Sequence, residues 1–172
     1  MGQQKYIDFG IQLTNSYFAT YNQTASGIGP EGFSWVDSVT GSGGSPPSSQ
    51  SSFYSKAGFW VSAGYYILRP ETLESLYYAY RVTGDSKYQD WAWAAFSAIT
   101  KVCRAGSAYS SINDVTQANG GGASDDMESF WFAEALKYAY LIFAEESDVQ
   151  INPNGGNKFV FNTEAHPFRI RN

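Results

Sequence analysis

The sequence is short of charge, of sulfur and of imidazole. Asp, Glu, Lys and Arg make up 16% of its 172 residues, and there is one cysteine and one histidine. A single cysteine excludes an intrachain disulfide, so Cys103 reads either as a buried free thiol or as half of a bond to another polypeptide. A single histidine, His166, excludes a histidine cluster for zinc. There is no basic run and the net charge is −5, which argues against nucleic acid or anionic membranes as partners. No apolar run approaches the roughly 18 residues of a membrane span. The first ten residues, MGQQKYIDFG, lack the basic start and apolar core of a signal peptide. No P-loop, dinucleotide glycine fingerprint or Gly-x-Ser-x-Gly elbow is present.

Aromatic area is abundant: 5 Trp, 13 Tyr and 12 Phe make up 17% of the chain and demand burial in a folded core. The length allows one domain or a large piece of one. Tyr6, Phe9, Leu13 and Tyr17 fall near helical spacing and predict an amphipathic helix over 5–21. It starts at the first residues without a cap or an approach segment. Residues 41–52, GSGGSPPSSQSS, read as a mobile surface loop.

From residue 70 the helical signals are clear. Pro70 suits a first helical turn, and Leu73, Leu76, Tyr77 and Tyr80 follow at helical spacing. Gly84 stops that helix and Asp85 can cap the next, whose stripe is Tyr88, Trp91, Ala92, Ala95, Phe96 and Ile99. The short joint predicts an antiparallel helical hairpin. Ser124 to Glu128 reads as an acidic helix start, with the helix running to about Ala144. Phe159-Val160-Phe161 reads as a strand, with Phe168 to Arg171 returning beside it. The fold class is all-α, closed by a short β-element.

Acids at helix starts and on apolar stripes are the chemical clues. Glu71 and Glu74 share one side of a helix start behind Arg69, where acids also simply favour the dipole. Glu134 lies midway between Phe130 and Tyr138 on an aromatic stripe, so it is either paired in the core or faces a polar cavity. Glu31 sits in a Gly/Pro loop, and Glu164 lies in Asn162-Thr163-Glu164-Ala165-His166-Pro167. Carboxylates beside aromatic rings fit carbohydrate chemistry, in which two carboxyl groups serve as acid and base. Asn22-Gln23-Thr24 is a glycosylation sequon, which has meaning only in a secretory protein.

Four blocks, in order, carry a resemblance: Leu68-Arg69-Pro70-Glu71-Thr72-Leu73-Glu74-Ser75; Tyr80-Arg81-Val82-Thr83-Gly84-Asp85 with Tyr88-Gln89-Asp90-Trp91; Met127-Glu128-Ser129-Phe130 with Glu134-Ala135-Leu136-Lys137-Tyr138; and Val160-Phe161-Asn162-Thr163-Glu164-Ala165-His166-Pro167. Gly29-Pro30-Glu31 agrees less distinctively. The chain resembles the class I α-1,2-mannosidases, glycoside hydrolase family 47, of fungal type.

The resemblance implies an (α/α)7 barrel plugged by a C-terminal β-hairpin. Residues 1–172 would form the C-terminal portion of that single catalytic domain, its N-terminal portion lying on a separate polypeptide or missing. It implies inverting, Ca2+-dependent hydrolysis of terminal α-1,2-linked mannose from high-mannose N-glycans, in the Golgi, the ER or outside the cell. Glu71 would be the general base and Thr163 the calcium ligand, through hydroxyl and carbonyl. Phe130 would stack under the mannose. Arg69, Glu134, Glu164, Glu31 and Glu74 would line the sugar and calcium. The general acid would lie outside this chain. The family's usual disulfide is absent, because Tyr17 takes the place of one cysteine; Cys103 is not at the family's usual position and could instead pair with a cysteine of the missing portion. The alternative is a non-hydrolytic, mannosidase-like glycan-binding protein of glycoprotein quality control.

Overall fold

The computed structural model describes residues 4–171. The elements are α1 (Gln4–Gln23), β1 (Gly32–Ser34), α2 (Ser51–Ala57), β2 (Trp60–Ala63), α3 (Glu71–Thr83), α4 (Lys87–Val102), β3 (Arg104–Ala105), β4 (Ala108–Tyr109), a π-helical turn (Trp131–Ala135) continuing as α5 (Leu136–Leu141), β5 (Phe159–Phe161) and β6 (Pro167–Arg169).

Helix α3 is the centre of the core, packed against α1, α4 and α5. Its Leu73, Leu76 and Tyr77 are fully buried, as their spacing predicts. Each leucine contributes about 1.5–3 kcal/mol by leaving water. The α3–α4 joint follows the capping signals. Gly84 has φ 70°, a left-handed turn that suits glycine, and its N–H donates to the Tyr80 carbonyl. The Asp85 carboxylate then accepts from the Lys87 N–H at 3.0 Å. Helix α4 buries Tyr88, Ala92, Ala95 and Ile99 against it.

The class is mainly helical, but the single β-element expected becomes, among the described residues, three antiparallel two-stranded sheets, β1–β2, β3–β4 and β5–β6. The third has the expected strands, with Phe159 opposite Arg169 and Phe161 opposite Pro167. The first two are closed by contacts distant in sequence or too short to leave a period-2 pattern. Part of the Gly/Ser/Pro segment folds, giving a 3-10 turn at Ser48–Gln50 that leads into α2.

Two helix readings need correction. On α1 the expected stripe of Tyr6, Phe9, Leu13 and Tyr17 is exposed, and Thr14, Phe18 and Tyr21 are buried instead. Phe18 stacks on Trp91 of α4 at 4.5 Å, so the packed face is the one next to the stripe. The second helix does not start at Ser124. Ser124 donates to the Ser111 carbonyl and Ser111 donates to the Asp126 carbonyl, so this stretch pairs with a distant strand-like segment instead of capping. Helical structure begins at Trp131 and ends at Leu141. Among the described residues, no helix is long and apolar enough to cross a membrane.

Candidate active site

The site is assembled at the N-terminal end of α3. Gly29 lies on the ring of Tyr21, where any side chain would collide with it. That close approach seats the loop, and Glu31 is tied by its N–H to the Tyr65 carbonyl at 2.9 Å. On the other side, Leu68 is fully buried with φ 65°, an uncommon backbone state for leucine. The Tyr66 hydroxyl holds the next turn by donating to the Arg69 carbonyl at 3.0 Å. Behind it, burial pushes the Tyr21 hydroxyl up to about 12, so this support is neutral.

Arg69 is thereby aimed at two acids and a ring. Its Nε donates to Glu31 Oε1 at 2.5 Å, and Nη1 lies 3.7 Å from Glu71 Oε1. The guanidinium stands 5.8 Å from the Phe130 ring centre, within cation–π range. A cleft of about 150 Å3 lies against Glu31, Arg69 and Glu71. The Glu71 side chain is 62% exposed at the mouth, while Glu31 is 16% exposed beneath it.

One turn along α3, Glu74 accepts from the Tyr138 hydroxyl at 2.9 Å. Burial raises its carboxyl above the ordinary value; the tyrosine bond opposes the rise and the Glu71 charge adds to it. Glu134 is buried in the π-helical turn, a distortion that recurs at functional sites. Desolvation raises its carboxyl, and the charges of Glu71, Glu164 and Glu74 raise it further. Four acids from three segments therefore share one electrostatic neighbourhood.

The β5–β6 turn supplies the last of them. Asn162 Oδ1 accepts from the N–H groups of Glu164 and His166, at 3.1 and 2.8 Å. Ala165 is buried with φ 58°. Thr163 and Glu164 are exposed on this turn. Among the described residues no hydrogen bond uses the Thr163 hydroxyl or carbonyl, which leaves both free as oxygen donors. No group of three His, Cys, Asp or Glu among the described residues is arranged as a metal cage. A donor set of one threonine with a carboxylate beside it fits a hard cation with oxygen ligands, and does not fit a thiophilic metal.

The chain matches the model of glycosyl hydrolase family 47 over residues 1–170. It belongs to that family. It is 52% identical over 170 residues to the mannosyl-oligosaccharide alpha-1,2-mannosidase 1B of Aspergillus phoenicis, covering 99% of this chain and 32% of the relative. It is 47% identical to the mannosyl-oligosaccharide alpha-1,2-mannosidase of Penicillium citrinum, again over 99% of this chain and 32% of that one. The solved alpha-1,2-mannosidase from Trichoderma reesei superposes with a TM-score of 0.96 at 86% identity, over 98% of this chain and 35% of that one. The chain thus spans about a third of the length of these relatives.

Within this family 47 chain, Glu31, Arg69, Glu71 and Phe130 come together through direct contacts, and Glu74, Glu134 and Glu164 through their charges. Asn22 is exposed in the last turn of α1, apart from this cluster. Cys103 is a free thiol, 1% exposed in the core, and burial pushes it up to about 12. Sequence reasoning missed Leu68 and Lys137. Leu68 carries no local signal for its backbone state. Lys137 stood in a quoted motif without a role.

Proposed function

We propose that this chain supplies the base and calcium side of a calcium-dependent, inverting α-1,2-mannosidase that removes terminal α-1,2-linked mannose from high-mannose N-glycans. The observation that carries the reading is the Glu31–Arg69–Glu71 cluster over Phe130, in a chain of family 47. Glu71 is the exposed acid of the cluster and is the base that takes a proton from the attacking water. As the water oxygen bonds to the anomeric carbon, the glycosidic bond breaks and the leaving oxygen takes a proton from an acid outside this chain. Inversion requires those two carboxyl groups to stand about 6.5–9.5 Å apart, leaving room for the water.

Arg69 holds Glu71 in place while pairing with Glu31, and Phe130 offers its ring to the apolar face of the mannose. Glu74, Glu134 and Glu164 bind hydroxyls and ordered water around the sugar. Thr163 would hold Ca2+ through its hydroxyl and carbonyl. When bound, the ion supplies positive charge beside sugar hydroxyls and offsets the repulsion among the acids. The remainder of an (α/α)7 barrel, with the β5–β6 hairpin entering it as a plug, would complete the site. Such a protein works where N-glycans are processed, in the secretory pathway or after export. The exposed Asn22 sequon is consistent with that setting.

The test is mannose release from a high-mannose glycan by the full-length protein containing this chain. Release should stop with a calcium chelator, return with added Ca2+, and give the β-anomer first by proton NMR. Tight glycan binding without turnover would overturn hydrolysis in favour of the glycan-binding alternative. An α-anomer first product would overturn the inverting mechanism.

A further inference from the structure

Lys137 is the cation among these acids that the proposed mechanism leaves unused. It follows Glu134 by three residues and lies in the first turn of α5, whose Tyr138 and Leu141 are buried in the core. Its ammonium acts on Glu134 against the charges of Glu71, Glu164 and Glu74. Among the described residues it forms no ion pair with any of them. It reaches across to the β5–β6 turn and donates to the Ala165 carbonyl at 2.6 Å.

That turn is otherwise held largely by itself. Its hydrogen bonds run from Glu164 and His166 N–H to Asn162 Oδ1, from Ala165 N–H to the Asn162 carbonyl, and from Asn162 N–H to the His166 carbonyl. Strand β6 is exposed along its length. The hairpin tip meets the helical body through buried Ala165, through Phe161 edge-on to Tyr138 at 6.3 Å, and through Lys137. The first two are apolar and set distance. The ammonium bond is directional, and it falls on the residue whose left-handed backbone, φ 58°, aims that carbonyl.

We propose that Lys137 is a positioning residue: it pins the Asn162–His166 turn to the helix bearing Glu134, so that Thr163 and Glu164 are presented to the sugar and its cation. The purpose of the pin rests on the calcium reading above; the pin itself does not.

Three variants of the full-length protein test this. Lys137→Met and Lys137→Gln remove the charged donor, and Lys137→Arg keeps one. With calcium chelated, amide exchange at Ala165 and His166 should be at least about tenfold faster in the Met and Gln variants, as expected for losing a charged hydrogen bond, with α3 and α4 unchanged. The Arg variant should stay close to the parent. Exchange in the turn unchanged in both Met and Gln variants would overturn the pin. In calorimetric titration with CaCl2, the Met and Gln variants should bind about tenfold more weakly or worse, and the Arg variant should recover most of the loss. Unchanged calcium affinity in the Met and Gln variants would overturn the positioning role. A parent protein that binds no calcium would overturn the functional reading instead, and the exchange measurement would still decide the pin.

Discussion

The two ends of α3 each carry an arginine paired with a glutamate, and they are built to different ends. At the C-terminal end, all three nitrogens of Arg81 are hydrogen-bonded. Nη1 and Nη2 grip the two oxygens of Glu146 at 2.5 and 2.9 Å, and Nε donates to the Ile151 carbonyl at 2.7 Å. One cation meets one anion, and the result is a staple that fastens the segment leading to the β5–β6 hairpin. At the N-terminal end, Arg69 bonds Glu31 and stands only near Glu71, while Glu74 and Glu134 are held with raised proton affinity nearby. Here anions outnumber cations, and the most exposed of the cluster is Glu71. A structural ion pair balances its charge; a site keeps an excess for something not yet bound.

The largest expected break in this comparison is Glu71→Gln. It should reduce mannose release by the full-length protein about 10²–10⁴-fold, the usual worth of a general base, with the melting temperature unchanged because the side chain is exposed. Next come the arginines. Arg69→Met and Arg81→Met should each cost about 1–3 kcal/mol of stability by chemical denaturation. Only Arg69→Met should slow turnover of the folded protein, by about tenfold or more, since it frees the loop of Glu31 and the side chain of Glu71. Equal kinetic losses in both would abolish the distinction between site and staple.

The glycines sharpen it further. Gly29→Ala should cost about 1–3 kcal/mol by forcing the loop off Tyr21, and should weaken substrate binding as Glu31 moves. Gly84→Ala meets open space and should cost only about 1 kcal/mol for the left-handed backbone, with kinetics intact. The smallest effect is in pH. Glu74 is raised, so the folded state holds extra proton just above the ordinary value of 4.5; its end of α3 is most stable below that and loses stability as pH rises through the raised value. Glu146 is lowered by Arg81, so its contribution is present above 4.5 and is lost as pH falls through the lowered value. In melting curves against pH with calcium chelated, Glu74→Gln should flatten the first slope and Glu146→Gln the second.

Much of the scaffold was legible because it is locally encoded. Helices α3 and α4, their Gly84–Asp85 joint and the β5–β6 hairpin follow from periodicity, a left-handed stop and turn residues, which act within a few positions. Local signals mislead where a distant segment decides the outcome. Ser124 to Asp126 pair with Ser111 instead of capping a helix, and the buried face of α1 is set by Trp91.

The site divides in the same way. The acids of the motifs stand out singly in the sequence, and only the resemblance to family 47 gives them a shared role. Composition and spacing could not bring Glu31 to Arg69 across 38 positions, nor reveal the π-helical turn that buries Glu134. The sequence alone determined which helices form, where they stop and which residue types are on hand for sugar chemistry, since propensities and caps are short-range. The tertiary structure decided which of two adjacent faces of α1 is covered, the left-handed turn at Leu68, and the reach of Lys137 to Ala165. Those depend on burial and on hydrogen bonds between residues that only the folded chain brings together.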